Sequence, residues 1–537
     1  MPVVLRQSTD LPGEGSFERW CAVAGTIPFV ADTPRVDNLG GRLEQAFDEI
    51  RDRWWELGRL LGSTPTAELA HMPTCGTYSS DFGVMLAWAR LVESLALDAA
   101  GTLVVCDDPW LYRHLSGLDG VEAGKAPGLH GRTLRLRLRG LAARTRTAIR
   151  VVMASLATRG TRSAHETGDA VIISFGHPES APGRDQFFSG LMEALPDLKR
   201  LMHTTCGRER ALALAPDGRT ACVHAWGSVL HAATLLFSRW RPAAGDLRIA
   251  EGWLVLRAAA IEGGGGSGAM NRWQLHCQAR WLVAARPAAV AWPWENHPWE
   301  RDMARSARKL GIRTIGYQHT VIGPHMYNQS PESNVDGLDS FPDVILCNGP
   351  AYRKNLIDWG VPEERLPIGG ALRQAGPKSL AHDAEGPVFV ALSSNHDFSA
   401  QMLAALRRLD GSERRFLIKE HPMYPFGLEE TGALRRTDVP LQDQPGLSAV
   451  LYSTGTVGLE ALLGGLPTLR FRPEGAVAMD ILPPGLEARP VDAGTLAEAL
   501  KTLEKPEPLS WDAVLAPPDF EVWKQALCSS DEGSFRA

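Results

Sequence analysis

RFLIKEHPMYPF (415–426) and LSAVLYSTGTVGLEALLGG (447–465) share one grammar: an apolar run of strand length stops at small or polar residues, from which the next element starts. In the second passage 449–452 reads as the strand, Ser453-Thr454-Gly455 as the turn, and 456–463 as a helix closed by Gly464-Gly465. Free amides at such a helix start, with hydroxyls beside them, suit a phosphate. The same letters also describe an ordinary capped helix. In the first passage His421-Pro422 puts an imidazole at a strand's carboxyl end, where open α/β sheets bind ligands. A lone histidine there also reads as structural; two such junctions one βαβ unit apart point to a phosphate-handling edge.

Around these passages, 537 residues exceed one ordinary core, so two domains are expected. A hydrophobic content of 44% with 22% charged residues describes a soluble globular protein, and the net charge of -6 argues against a general nucleic-acid partner. The eight cysteines form no CxxC pair, and read as reduced thiols, not a disulfide framework or zinc site. MPVVLRQSTDLPGEG lacks the layout of a signal peptide, and no apolar run reaches the roughly 18–20 residues of a membrane span. The expected location is cytoplasmic.

The same rhythm recurs upstream. Residues 288–294 (AAVAWPW) form a strand that stops at Glu295-Asn296-His297; a helix at 298–310 follows, with proline in its first turn. The next strand, 313–317 (RTIGY), ends at Gln318-His319-Thr320. Glu295 and His319 thus fall on neighbouring carboxyl-end loops, a candidate catalytic edge. Earlier in the chain, 43–61 and 82–97 read as helices. Residues 102–106 (TLVVC) read as a buried strand stopping at Asp107-Asp108-Pro109, whose carboxylates either face a cleft or cap a helix at 110–115. A strand at 170–175 leads to a helix at 186–195, segments 220–226 and 253–260 bracket another helix, and GGGGSG (263–268) reads as a flexible loop. After a strand at 343–347 and a helix at 351–359, residues 374–386 lose the apolar pattern and mark a domain boundary. Beyond it, 387–392 (PVFVAL) opens a new sheet with Ser393-Ser394-Asn395 at its end and a helix at 399–409; a strand at 468–471 and helices at 495–503 and 517–527 complete it.

Residues 128–162 differ from their surroundings: nine arginines, no Asp or Glu, and interleaved aliphatic residues. Such a segment reads either as a basic amphipathic helix in the headgroup region of an anionic membrane or as a solvated charged segment.

KEHP (419–422) followed by YSTGTVGLEALLGGLP (452–467) resembles the His-Pro and Ser/Thr motifs of bacterial GT-B glycosyltransferases. Polysialyltransferases and Kdo transferases of capsule assembly are among these, and the glycerophosphotransferases of teichoic acid synthesis share much of the layout. YQH (317–319), NG (348–349) and GGALR (369–373) are similar to the same group. WEN (294–296) and WERDMARSARKLGIRTIGYQH (299–319) are similar to uncharacterised surface-carbohydrate biosynthesis proteins of O-antigen gene clusters. The resemblance spans roughly 170–467.

It implies an α/β protein of the GT-B fold, two Rossmann-like domains facing each other across a cleft. The expected units are an acceptor-side domain at 1–370 with the basic insertion, a linker at 371–386, a nucleotide-sugar domain at 387–515, and a closing helix and tail at 516–537. His421 and Pro422 would meet the donor phosphate, and Ser453 and Thr454 with the amides of Gly455 and Thr456 would hold it. Glu460 is a candidate for the ribose hydroxyls or an ordinary surface glutamate. Ser393, Ser394, Asn395 and Arg373 complete the donor set, with Lys419 or Arg373 beside His421 as leaving-group cations. Glu295 is the first candidate for the base; His319 is the second, or else holds the donor or orients Glu295. No DxD pair stands out, so no essential metal and no cofactor is expected. The implied function is transfer of a sugar, a nonulosonic acid or Kdo from a CMP donor, onto a glycan or lipid-linked glycan in surface-polysaccharide synthesis, with peripheral contact to the inner membrane through 128–162. The alternatives are a CDP-glycerol-type phosphotransferase, a non-catalytic assembly component, and a nucleotide-sugar 2-epimerase.

Overall fold

The central strands, such as Ala289–Pro293 and Ala449–Tyr452, are short, apolar and buried on both faces, which requires helices on each side. In the computed structural model, residues 3–13, 15–23, 33–63, 80–373, 376, 379–411, 414–421, 424–506 and 509–528 are described. The first sheet is built from β1 (Val3–Arg6), β2 (Arg19–Ala22), β3 (Thr102–Val105) and β4 (Val121–Ala123), in the order β2-β3-β1-β4. The second comprises β5 (Ala170–Ser174), β6 (Lys199–Met202), β7 (Thr220–Cys222), β8 (Ala289–Pro293), β9 (Arg313–Tyr317) and β10 (Val344–Leu346), in the order β10-β9-β8-β5-β6-β7. The third comprises β11 (Val388–Ala391), β12 (Phe416–Lys419), β13 (Leu434–Arg436), β14 (Ala449–Tyr452), β15 (Thr468–Phe471) and β16 (Arg489–Val491), in the order β13-β12-β11-β14-β15-β16. Every pairing is parallel.

Counted from its own first strand, each six-stranded sheet has the order 3-2-1-4-5-6 of a dinucleotide-binding Rossmann sheet. Two such units whose carboxyl-end loops meet make the GT-B fold. The meeting is direct: His325, downstream of β9, accepts from the Asp480 amide at 2.9 Å, downstream of β15. Tyr452, Leu459 and Leu462 of the third sheet's unit share one apolar cluster with Val321, Ile322 and Met326 of the second. The closing helix Phe520–Cys528 returns to the second sheet, where Trp523 donates to the Gly369 carbonyl at 3.1 Å and packs on Tyr317.

Residues 1–370, expected as one Rossmann-like domain, hold two separate sheets. Within the 371–386 segment, Gln374, Ala375, Pro377 and Lys378 lie outside the described residues.

Several local expectations change. Residues 43–61 break into helices Leu39–Glu49 and Arg51–Gly62, and of 186–195 only Leu191–Ala194 is helical. Residues 253–260 lie inside helix Gly252–Ile261. GGGGSG runs into helix Gly266–Ala285 and is closely packed: a Cβ on Gly263 would sit 2.7 Å from the Trp240 Cβ. Gly263 and Gly266 serve close approach, not flexibility. The basic segment is one helix, Leu129–Thr158, anchored by the buried Arg144, which donates to the carbonyls of Leu236 and Gly264.

Candidate active site

β8 and β9 pair in a register that sets Pro293 opposite Tyr317. Glu295 and His319 each lie two residues further on, so the ladder delivers them level at the carboxyl edge of the second sheet. His319 Nε2 is 3.5 Å from Glu295 Oε1, beyond a good N–H···O bond, whereas His297 Nε2 is 2.8 Å from Oε2. One carboxylate oxygen is held, and the other faces the second imidazole. Arg373 joins them: its guanidinium lies 4.9 Å from the Phe187 ring, and its charge acts on both Glu295 and His319.

The loop carrying Glu295 is braced from below. Glu300, in the first turn of helix Pro298–Lys309, accepts from the amides of Glu295 at 2.9 Å and Asn296 at 3.0 Å and from Trp292 Nε1 at 3.0 Å. Asn296 has φ 58°, a left-handed conformation that asparagine tolerates better than most residues. Its side chain donates to the Asn328 carbonyl, and the Asn328 side chain donates to the Glu295 carbonyl, both at 2.6 Å.

This surrounding sets the protonation states. Burial pushes the Glu295 carboxyl upward, but the hydrogen bond from His297 and the charges of His297, His319 and Arg373 outweigh it and bring it to about 2, although 37% of the side chain reaches solvent. Burial takes His319 down to about 4 against the pull of Glu295, with Arg373 and His297 adding to the fall. Near neutral pH the pair is therefore a carboxylate beside a neutral imidazole. Glu300, fully enclosed, is pushed up by burial to about 7.

A cavity of about 470 Å³ opens beside Glu295 and His297, walled by Phe175 after β5, His203 and Thr204 after β6, and Trp299. β5 and β8 are the strands between which the sheet order reverses, the point where such sheets bind ligands. The volume falls in the roughly 300–1,000 Å³ of small-molecule sites.

The third sheet presents its own reversal point between β11 and β14. Ala391 pairs with both Lys419 and Tyr452, so Ser393, His421 and Thr454 emerge level on three adjacent strands. Gly455 has φ +120°, which disfavours any side chain, and a Cβ there would meet open space. Helix Val457–Leu463 has seven residues, and Gly458 lets it close on the Tyr452 ring. Ser453 Oγ is buried without a partner.

Other candidates of this group have local partners. Ser393 Oγ accepts from the Asn395 amide, and Asn395 Oδ1 caps helix His396–Arg407 by accepting from Asp397 and Phe398. Ser394 is partly exposed beside them. Thr456 Oγ1 donates to the exposed Glu460 at 3.1 Å, and Lys419 donates to the Asp438 carbonyl. His421 is half-buried against Tyr424, and burial lowers its pKa. Pro422 lies outside the described residues. Arg373, expected with the donor loops, is placed beside Glu295 on the second sheet.

No family model matches the chain. No curated protein matches it either. Among solved structures it is similar to the glycosyltransferase SnogD from Streptomyces nogalater, at 17% identity over 62% of this chain and 91% of that one, with a TM-score of 0.36. It is also similar to UDP-N-acetylglucosamine 2-epimerase from Rickettsia bellii (14% identity, 67% of this chain, 94% of that one, TM-score 0.34). A third is MurG of Acinetobacter baumannii (12% identity, 67% of this chain, 99% of that one, TM-score 0.35). These likenesses are too distant to assign chemistry.

Sequence reasoning passed over His297, Glu300, Phe175, His203 and Thr204. Phe175, His203 and Thr204 sit just beyond strands, and marking strand ends flags them once the order β5-β8 is known. His297 carried a plainer signal, two residues after Glu295 in the same loop. Among the described residues, no group of three or more His, Cys, Asp or Glu is arranged to hold a metal ion, and no helix is long and apolar enough to cross a membrane.

Proposed function

We propose that the protein is a glycosyltransferase that moves a sugar from a nucleotide donor on the third sheet to an acceptor hydroxyl in the cavity beside Glu295. The observation that carries the reading is the convergence of His297, His319 and Arg373 on Glu295, which lines the cavity, with the loops after β11, β12 and β14 level at the second reversal point. Glu295 takes the acceptor's proton. A carboxylate held this low is a weak base, so the transfer occurs late, when bond formation to the anomeric carbon has made the hydroxyl proton acidic. The proton moves to Glu295 as the donor's carbon–oxygen bond breaks and the nucleotide phosphate leaves. His297 orients the carboxylate through its hydrogen bond, with the neutral His319 facing the other oxygen, while His421, Ser453 and the amides of Gly455 and Thr456 receive the phosphate.

The donor is a CMP-activated acidic sugar, a nonulosonic acid or Kdo, and the product belongs to a surface polysaccharide such as O-antigen or capsule; the support for this is the motif resemblance. The transfer requires no metal. The protein works in the cytoplasm, peripherally at the inner membrane. Helix Leu129–Thr158 supports that placement, because it exposes Leu134, Leu138, Leu141 and Ile149 among its arginines. Leu230 and Phe237, on short helices packed against it, are 84% and 74% exposed.

Incubation with a panel of CMP-sugars and CDP-polyols, with and without EDTA, tests the reading. CMP release from a CMP-sugar, insensitive to EDTA and lost in Glu295→Gln, is expected. Turnover of CDP-glycerol alone would favour phosphotransfer instead.

A further inference from the structure

The cavity beside Glu295 also has cationic lining, from elements that the proposed chemistry does not use. Arg146 and Arg150 lie one turn apart on helix Leu129–Thr158, line the cavity, and are exposed with no hydrogen bond or ion pair among the described residues. Beside them Gly266 and Ser267 open the 20-residue helix Gly266–Ala285, whose amino terminus has no side-chain cap. The first amides of a helix have no intrahelical partner and carry the positive end of its dipole. Thr204, 2% exposed, also lines the cavity, and its Oγ1 has no partner. An unpaired buried hydroxyl is costly in a finished site and becomes satisfied when a ligand oxygen arrives. Among the lining residues Glu295 is the sole carboxylate, so the same cavity presents one base and two guanidiniums.

We propose that the cavity binds an acceptor bearing a phosphate: Arg146, Arg150 and the amides opening helix Gly266–Ala285 hold the phosphate, and a hydroxyl of the same molecule lies at Glu295. The inference rests on the reading of Glu295 as the base for the hydroxyl end, whereas the phosphate end stands on the cavity itself. Two guanidiniums with a helix start match a tetrahedral oxyanion. An anion placed instead at the Glu295 end would meet a carboxylate. The phosphate comes either from a lipid headgroup or from a soluble sugar phosphate, and the chemistry at the arginines is the same.

Titration calorimetry on the full chain at low ionic strength, using inorganic pyrophosphate in one arm and a short prenyl phosphate in neutral detergent micelles in the other, tests this without turnover. Arg146→Ala/Arg150→Ala is expected to weaken binding about tenfold or more in both arms. Arg135→Ala/Arg137→Ala, on the same helix but outside the cavity lining, is expected to bind as the parent does. Tighter binding of the prenyl phosphate than of pyrophosphate identifies a lipid source; equal affinities identify a soluble one. Unchanged affinity in the Arg146/Arg150 variant, or an equal loss in the Arg135/Arg137 variant, overturns the proposal. A protein that binds phosphate in this way but releases no nucleotide from any donor would refute the glycosyltransferase reading and leave the phosphate site standing.

Discussion

Glu295 is a residue whose chemistry is written by its neighbours. Glu295→Gln keeps the shape and removes the base, so kcat is expected to fall by about 10²–10⁴ with little change in donor KM, measured by steady-state nucleotide release. His297 supplies the hydrogen bond that holds the carboxyl down. In His297→Ala that support is gone and the carboxyl rises, so the acid limb of the kcat profile is expected to move to higher pH; a limb that stays in place would remove His297 from the site. Glu300 works in the opposite direction. Burial raises its folded pKa to about 7, above the ordinary carboxylic value, so the fold prefers it protonated. The resulting stability is complete below about pH 4.3 and is lost as pH rises through 7, a difference on the order of 3 kcal/mol. Thermal melts across that window should show the parent losing stability and Glu300→Gln, which still accepts hydrogen bonds, losing far less.

At the scale of elements, helices Leu129–Thr158 and Gly266–Ala285 meet through glycine. A Cβ on Gly140 would lie 2.4 Å from the Gly264 carbonyl oxygen, whereas one on Gly131 of the same helix would meet nothing within 4 Å. Gly140→Ala is therefore expected to cost about 1–3 kcal/mol in denaturant unfolding. Gly131→Ala is expected to gain about 0.5–1 kcal/mol, because only the helix's own preference changes. The contact also explains what the sequence concealed. GGGGSG has the composition of a linker, and composition does not reveal that Gly263 lies against Trp240 and Gly266 against Thr147 of helix Leu129–Thr158. WLVLRAAA at 253–260 is apolar almost throughout, so it shows no period that separates helix from strand. The central Rossmann strands were legible because they are apolar runs ending at polar residues, whereas KRLM (199–202), LRR (434–436) and RPV (489–491) carry charge or proline and do not stand out; VVLR and RWCA of the first sheet are four residues long, too short to announce a pairing. The level placement of Glu295 and His319 was readable from strand ends, while the cavity required the strand order, which is a long-range fact.

At the scale of the molecule, the first sheet's unit is tied to the third sheet by charge. Glu44, on helix Leu39–Glu49, is 2.5 Å from Arg470 of β15 and 2.9 Å from Arg472, and Arg470 is also 3.5 Å from Asp480. Arg470 is 3% exposed and Glu44 8%, so water does little to screen the pair. His325 reinforces the tie, with Asp48 at 3.1 Å from one ring nitrogen and the Asp480 amide on the other. Such a pair gains its attraction against a large desolvation cost, so its net worth is small while the cost of removing one member is large. Arg470→Ala strands Asp480 and leaves Glu44 to Arg472 alone; a loss of about 3 kcal/mol is expected, the lower part of the 3–5 kcal/mol range for breaking a buried pair. Glu44→Leu/Arg470→Met replaces the pair with apolar volume and is expected to lose less than Arg470→Ala by itself. Urea unfolding of the parent, Glu44→Leu, Arg470→Met and the double decides it through the coupling energy. Additive losses would mean that the first unit is held to the third by packing alone, and that the ion pairs only mark where the surfaces meet.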